Sequence, residues 1–326
     1  MRAMLAALLA DCSGWQSALD AHGRSAVSLK QLIIVIVVVC SLVWMLVMIT
    51  LILALLRRRE VRPATPSPRT EHRMTVAVTG AVVATILIIG SFTVISFLAT
   101  HTLGVAGHDD LTVRVRGLQW WWGLEYIGPK PSDRFETANE IHIPVGRNVR
   151  LKLEGLDVIH SFWVPSLAGK QDLVPGRSNE LTIRADNPGV YRGQCAEFCG
   201  MQHAHMALLV IAQSQDDFDR WSNAQQQAAP QPAEEELAAG LQTFLAKPCA
   251  GCHTIRGTAA NGKTGPDLTH VGSRRTIAAG LFETTRGSLA AWIADPQTIK
   301  PGNNMPMVPL TPDELRTVSA YLASLK

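Results

Sequence analysis

At 326 residues the chain has room for two domains of ordinary size and further segments besides. Its composition is near average, 47% hydrophobic with a net charge of +3, and it carries no basic stripe, which argues against a nucleic-acid partner. That average hides segregation: apolar residues gather in two early runs, and the remainder reads as polar, soluble protein.

Residues 1–30 form an N-terminal segment. Met1 to Ala10 resembles a short secretory signal, and Leu9-Ala10-Asp11-Cys12 loosely resembles a lipoprotein cleavage site. Asp11 stands where a small residue is expected, so a plain tail outside the membrane is the alternative to lipidation of Cys12. Leu32 to Leu56 is an uncharged apolar run, and Thr75 to Leu98 is a second. Since a helix crossing a bilayer core of roughly 30 Å needs about 20 apolar residues, both runs are long enough to span. They predict a two-helix hairpin over 31–100, with Cys40 as a small polarizable side chain mid-span. Between the runs lie Arg57, Arg58, Arg59, Arg62, Arg69 and Arg73, with Pro63, Pro66 and Pro68 expected to keep the connector non-helical. An arginine-rich short loop stays cytoplasmic, which places the N-terminus and everything after about Ala99 outside. Neither span carries a charge for a proton relay, and Glu71 at the start of the second reads as a solvated acid or as the mouth of a partner's proton channel.

From Leu111 the pattern alternates. Leu111-Thr-Val-Arg-Val-Arg, Val149-Arg-Leu-Lys-Leu-Glu and Leu181-Thr-Ile-Arg read as half-buried strands, with Gly and Pro turns between them. Several short strands over 101–213 predict an antiparallel β sandwich or barrel. Gln119-Trp120-Trp121-Trp122, if it lies in such a strand, must turn at least one ring to solvent, where it serves either an interface or electron entry.

Within this region stands Cys195-Ala-Glu197-Phe-Cys199-Gly-Met-Gln-His203-Ala-His205-Met206, with His160 upstream. Two thiolates, imidazoles and a thioether suit copper, and a one-copper site would need only one of the cysteines. Two bridging thiolates would hold two coppers close together. A Cys195–Cys199 disulfide, a Cys2His2 zinc site and ligation by His205 in place of His203 stay open at this stage. The stretch resembles subunit II of haem–copper cytochrome c oxidases, whose pattern C-x-E-x-C-x-x-x-H-x-x-M is matched in full from Cys195 to Met206. The resemblance implies a cupredoxin barrel and a binuclear CuA centre held by His160, Cys195, the Glu197 carbonyl, Cys199, His203 and Met206. It also implies an electron-entry role for Trp120 and a possible magnesium ion on the Glu197 side chain at the contact with subunit I.

Asp216 to Ala239 reads as a short helix followed by a linker, with 214–233 set between the domains and 234–326 as a mostly helical third part. There Cys249-Ala-Gly-Cys252-His253 is a C-x-x-C-H motif: Cys249 and Cys252 for covalent haem c, His253 for the iron. A redox dithiol is the alternative. Lys300-Pro-Gly-Asn-Asn-Met305-Pro-Met307 offers the sixth ligand, and its N-x-M-P arrangement resembles class I cytochromes c and favours Met305. His270 is the rival, read as a surface or propionate-side residue. Gly265-Pro266-Asp267-Leu268 resembles the family's turn beneath the haem edge.

The order of anchor, copper barrel, linker and cytochrome c domain resembles the caa-type oxidases of bacteria. It implies a multidomain protein of a bacterial inner membrane, multi-pass, with both redox domains on the periplasmic side. The implied partners are subunit I, with haem a and the haem–copper centre, subunit III, and cytochrome c or a similar donor. The implied enzyme is proton-translocating cytochrome c oxidase, with oxygen chemistry in subunit I. A quinol oxidase subunit would lack the copper ligands and haem motif, whereas a CuA subunit serving nitric oxide reduction would look nearly the same.

Overall fold

The structure, a computed structural model, describes residues 14, 16–57, 67–101, 111–128, 130 and 133–326. Cys12, most of the arginine-rich connector and the proposed signal lie outside the described residues. One unit, Val27–Gly104, is made of two long helices, α1 (Arg24–Leu56) and α2 (Pro68–His101). Mean hydropathies of 3.3 and 2.4 over their apolar windows, with none of those windows buried, make both apolar enough to cross a membrane. Pro68 does not extend the connector. It opens α2, where proline's fixed φ and missing N–H suit the first turn, so Arg69 and Arg73 are helical.

The other unit comprises the N-terminal residues to Ala26 and 105–326. Its first part is a barrel of ten strands: β1 (Leu111–Leu118), β2 (Trp121–Ile127), β3 (Phe135–Ala138), β4 (Glu140–Pro144), β5 (Val149–Gly155), β6 (His160–Trp163), β7 (Gln171–Leu173), β8 (Ser178–Ile183), β9 (Gly189–Cys195) and β10 (Ala207–Gln213). They form two five-stranded sheets, ordered β3-β2-β1-β5-β8 and β4-β10-β9-β6-β7. The sheets are mixed, because β1 runs parallel to β5 and β10 parallel to β4. Strict alternation drives the packing: in β5, Val149, Leu151 and Leu153 are buried while Arg150, Lys152 and Glu154 are not. On the polar face, Arg114 sits directly across from Glu125, at 2.5 Å.

Residues ahead of α1 are pinned to this barrel. The His22 N–H donates to Ser166 O, and His22 O accepts from the Asp186 N–H, both at 2.8 Å. Gly23 is required there, since a Cβ would lie 2.3 Å from Arg184 O.

The segment expected to link the domains is largely helix and belongs to the barrel. In α3 (Gln215–Gln226), capped by Ser214, Phe218 enters the core and Trp221 stacks on His142 at 4.0 Å and 7°. Burying such an aromatic stabilises by roughly 1.5–3 kcal/mol, which outweighs the helix-poor composition of the segment. Only 227–234 connects onward, and even there the Ala229 N–H donates to Arg256 O at 2.9 Å. The helical part follows: α4 (Glu235–Ala246), α5 (Cys249–Cys252), a hairpin of β11 (Thr276–Ile277) and β12 (Phe282–Glu283), α6 (Arg286–Ala294), α7 (Pro296–Ile299) and α8 (Pro312–Ser324). Thr311 and Glu314 form a capping box at α8, which packs on α4 and α6.

Candidate functional site

The copper-type residues converge where β9 ends and β10 begins. Cys195 closes β9, Met206 immediately precedes β10, and a tight turn carrying Gly200 at φ +114° folds the loop between them back on itself. Cys195 and Cys199 sulfurs lie 3.7 Å apart, His203 Nδ1 lies 3.7 Å from Cys199 and Met206 Sδ lies 3.9 Å from it. His160, at the start of β6, brings Nδ1 to 3.9 Å from Cys195, and the Glu197 carbonyl oxygen is 3.2 Å from the same sulfur. The six groups therefore meet in one cluster, with His160, Cys195, Cys199 and Met206 buried and Glu197 and His203 half-buried at its rim. The sulfurs are not bonded to each other, and the hydrogen bond between them holds Cys195 down to about 3 while pushing Cys199 up. A ready thiolate is what a soft metal needs.

His160 is oriented by neighbours. Its Nε2 donates to Asp157 Oδ1 at 2.7 Å, which leaves Nδ1 facing the sulfurs. Burial opposes its charged form, but the hydrogen bonds to Cys195 and Asp157 prevail and raise its pKa. Gly117 backs the ring, since a Cβ there would fall 2.7 Å from His160 Cδ2. His205 points away, with Nδ1 2.9 Å from Gln202 Oε1, so its ring is not in the cluster. The Glu197 carboxylate also stands aside, half-exposed and 3.8 Å from Lys170. Among the described residues, the one group of three or more His, Cys, Asp or Glu side chains close enough to hold a metal is His160, Cys195 and Cys199. A magnesium ion at Glu197 would need its other ligands from elsewhere.

In the tryptophan run the ring left partly open to solvent is that of Trp121, which opens β2. Trp120 precedes β2 in a turn and is 7% exposed, while Trp122, inside β2, is fully buried against Phe162 and His160. The three residues do not alternate along one strand, and Trp120 is covered by the loop 300–304. Its indole Nε1 donates to Cys199 O at 3.0 Å.

In the helical part Cys249, Cys252, His253 and Met305 all line one apolar cavity of 420 Å³, within the roughly 300–1,000 Å³ range of cofactor pockets. His253 Nδ1 donates to Pro266 O at 2.8 Å, leaving Nε2 free, and burial lowers its pKa so that the ring is neutral and able to ligate. Gly265 backs this ring as Gly117 backs His160: a Cβ would lie 2.6 Å from Cε1. Arg274 lines the cavity, 9% exposed. Its Nη2 donates to Asp267 O at 2.5 Å while its Nε has no partner. A buried cation with an unspent donor fits a cofactor that brings acidic side chains, and the four motif residues fit haem c. Met307 is 63% exposed and does not line the cavity. His270 is not a surface residue: it is buried, its two ring nitrogens each 3.1 Å from a carbonyl oxygen, of Lys326 and Gln227, so it fastens the C-terminus to the connector. Asp157, Gly117 and Arg274 carry no motif of their own, whereas Gly265 belongs to the Gly265-Pro266-Asp267-Leu268 turn. Gly117 and Gly265 answer to a histidine ring brought against them by the fold.

A membrane-anchored redox protein with a thiolate-rich metal cluster and a C-x-x-C-H cavity is the class these features define. Family models match residues 128–213, described as the periplasmic domain of cytochrome c oxidase subunit II, and residues 237–326, described as cytochrome c. The cytochrome c oxidase subunit 2 of Alkalihalophilus pseudofirmus is 34% identical over 334 residues, covering 99% of this chain and 95% of the relative. That of Bacillus subtilis is 33% identical, over 68% of this chain and 64% of its own length. The solved periplasmic domain of subunit II from Bradyrhizobium japonicum is 32% identical, covering 37% of this chain and 96% of that one, with a TM-score of 0.35. The chain belongs to the cytochrome c oxidase subunit 2 family, in the form that carries a cytochrome c domain. It is thus an electron-transfer subunit of a cytochrome c oxidase, and the two matched domains imply copper and haem c as its cofactors.

Proposed function

We propose that this chain relays electrons from cytochrome c through covalent haem c and a binuclear CuA centre to the oxygen-reducing site of subunit I. The observation that carries the copper assignment is the second cysteine: Cys199 lies as close to His203 and Met206 as Cys195 lies to His160, so each sulfur has its own terminal donors. His160, Cys195, the Glu197 carbonyl, Cys199, His203 and Met206 would hold the coppers. Cys249 and Cys252 would hold haem c covalently, and His253 and Met305 would supply donors to its iron. When bound, the two groups would supply reversible one-electron chemistry, and a methionine donor beside the histidine would raise the haem potential. The chain's own residues orient and exclude water. Asp157 and Pro266 fix the two histidine rings, Trp122 and Phe162 close the barrel beneath the copper loop, and Trp120 bonds directly to Cys199.

Both α1 and α2 cross the inner membrane in this reading, with the barrel and cytochrome c domain periplasmic. The hydrogen bonds that pin residue 22 to the barrel support it, because they require the N-terminal segment and the barrel to share a side. The copper domain occupies about 101–213 and the cytochrome c domain 234–326. Subunits I and III are the membrane partners, and subunit I would complete any magnesium site begun by Glu197.

Copper-loaded chain should give a delocalised two-copper EPR signal, whereas a one-copper hyperfine pattern would rule out the binuclear assignment. The complex should take up oxygen with reduced cytochrome c, and nitric oxide turnover without oxygen uptake would place it in the other enzyme class.

A further inference from the structure

Lys300 opens the proline-containing loop that leads to Met305. In the structure it is 3% exposed. Its ammonium carries three donors, and Nζ lies 2.8 Å from Trp120 O, 2.8 Å from His205 O and 3.1 Å from Ala278 O. Every donor is spent on a carbonyl, and two of the three belong to the copper domain. Burial pushes its pKa down to about 8, with Cys199 acting the other way, so the group keeps its charge at neutral pH. A buried charge this well surrounded is held by the protein and holds the protein in return.

The same loop presents Met305 to the haem cavity. Lys300 O accepts from Asn303 Nδ2 at 2.7 Å, Asn303 Oδ1 accepts from the Met305 N–H at 2.8 Å, and Gln297 Nε2 donates to Met305 O at 2.8 Å. The loop is therefore rigid between its seat and its methionine. A second contact flanks the first. Ala278, Ala279 and Gly280 all have positive φ (54°, 61° and 83°), and Ala279 O accepts from the Ala207 N–H at 3.0 Å. Alanine is strained in that region, so the surroundings must fix the loop in place. Gln202 Nε2 donates to Pro301 O at 2.8 Å, and Glu140, 4% exposed, accepts from the Arg275 N–H at 2.8 Å.

We propose that Lys300 is a positioning residue that seats the cytochrome c domain on the copper loop, so that the chain's own haem domain occupies the surface over Trp120 and shuts it to a soluble donor. This rests on the relay reading above. An external cytochrome c then delivers its electron to the haem domain and not to Trp120. Haem c held by Cys249, Cys252, His253 and Met305 would supply the one-electron donor and the copper cluster the one-electron acceptor, and Lys300 would exchange neither electron nor proton.

The test uses the intact oxidase complex carrying Lys300→Met, with Lys130→Met, at an exposed lysine, as the charge-matched control. Amide hydrogen exchange across 118–122 should rise about tenfold or more in the first and not in the second, because hydrogen bonds from a charged donor are among the strong ones. Copper EPR and haem absorption should persist, while transfer from photoreduced haem c to copper slows by about tenfold or more, as misplaced redox partners do. Lys300→Gln keeps two donors and should fall between; if Lys300→Met does not assemble, it carries the test. Unchanged exchange and unchanged transfer in these variants would overturn the seating role while leaving the relay intact. No haem-to-copper transfer in the unmodified complex would overturn the relay itself, and the seating role with it.

Discussion

In the barrel, side chains alone draw the metal donors together: sulfur–sulfur and sulfur–nitrogen distances of 3.7–3.9 Å link His160, Cys195, Cys199, His203 and Met206. In the helical domain Cys249, Cys252, His253 and Met305 stand instead around an apolar space of 420 Å³. The copper site is therefore an appendix to a core that closes without it, with Trp122 and Phe162 already buried beneath. The haem site is part of the core. The contrast predicts that losing a cofactor harms the two domains unequally.

The largest effect should follow Cys249→Ser with Cys252→Ser. Leaving this apolar cavity unfilled removes packing partners from the residues that line it, as a large-to-small core substitution does on a smaller scale. The cytochrome c domain should lose its cooperative thermal transition while the barrel keeps its own. Replacing Cys195 and Cys199 together by serine should abolish copper binding yet leave the barrel transition in place; a collapse of the barrel would break the comparison.

The two glycines behind the histidines sharpen it. Gly117→Ala and Gly265→Ala each drive a Cβ to within 2.7 Å and 2.6 Å of a ring atom, so each should destabilise its domain by about 1–3 kcal/mol, read by denaturant titration. Removing the partner of the ring's other nitrogen acts mainly on the metal: Asp157→Ala, which also frees the Gln119 and Val158 N–H groups, should weaken copper binding about 10–100-fold in a competition titration with a smaller effect on the barrel transition. The smallest effect separates the two methionines. Met305→Ala should remove the weak far-red sulfur-to-iron band, whereas Met307→Ala, at an exposed side chain, should leave it and change stability by less than about 0.5 kcal/mol.

Much of this was legible because the chemistry is local in the chain. Five of the copper donors fall in the twelve residues from Cys195 to Met206, and the haem-attachment residues in five more. The strand alternation of Val149 to Glu154 and the two apolar runs are local patterns of the same kind. What the sequence hid depends on register and docking. Gly117 reaches His160 across the fold, Trp120 is buried by a loop 180 residues further on, and Lys300 has the sequence context of a surface turn. The polar, glutamine-rich stretch after Ser214 reads as a short helix and a linker, but its docking on the barrel is hidden because only Phe218 and Trp221 mark its packed face. His270 likewise reads as a surface or propionate-side residue, because nothing near it in the chain marks the Lys326 and Gln227 carbonyls that face its ring.

Single-turnover mixing of the oxidised complex with reduced cytochrome c, followed at the haem c and copper absorptions, tests the relay most directly. Haem c should be reduced first and the copper pair at the rate at which haem c is reoxidised, in wild type and not in the Cys249→Ser, Cys252→Ser variant. Copper reduced ahead of haem c, or at the wild-type rate without it, would contradict an electron path that enters through this chain's own cytochrome c domain.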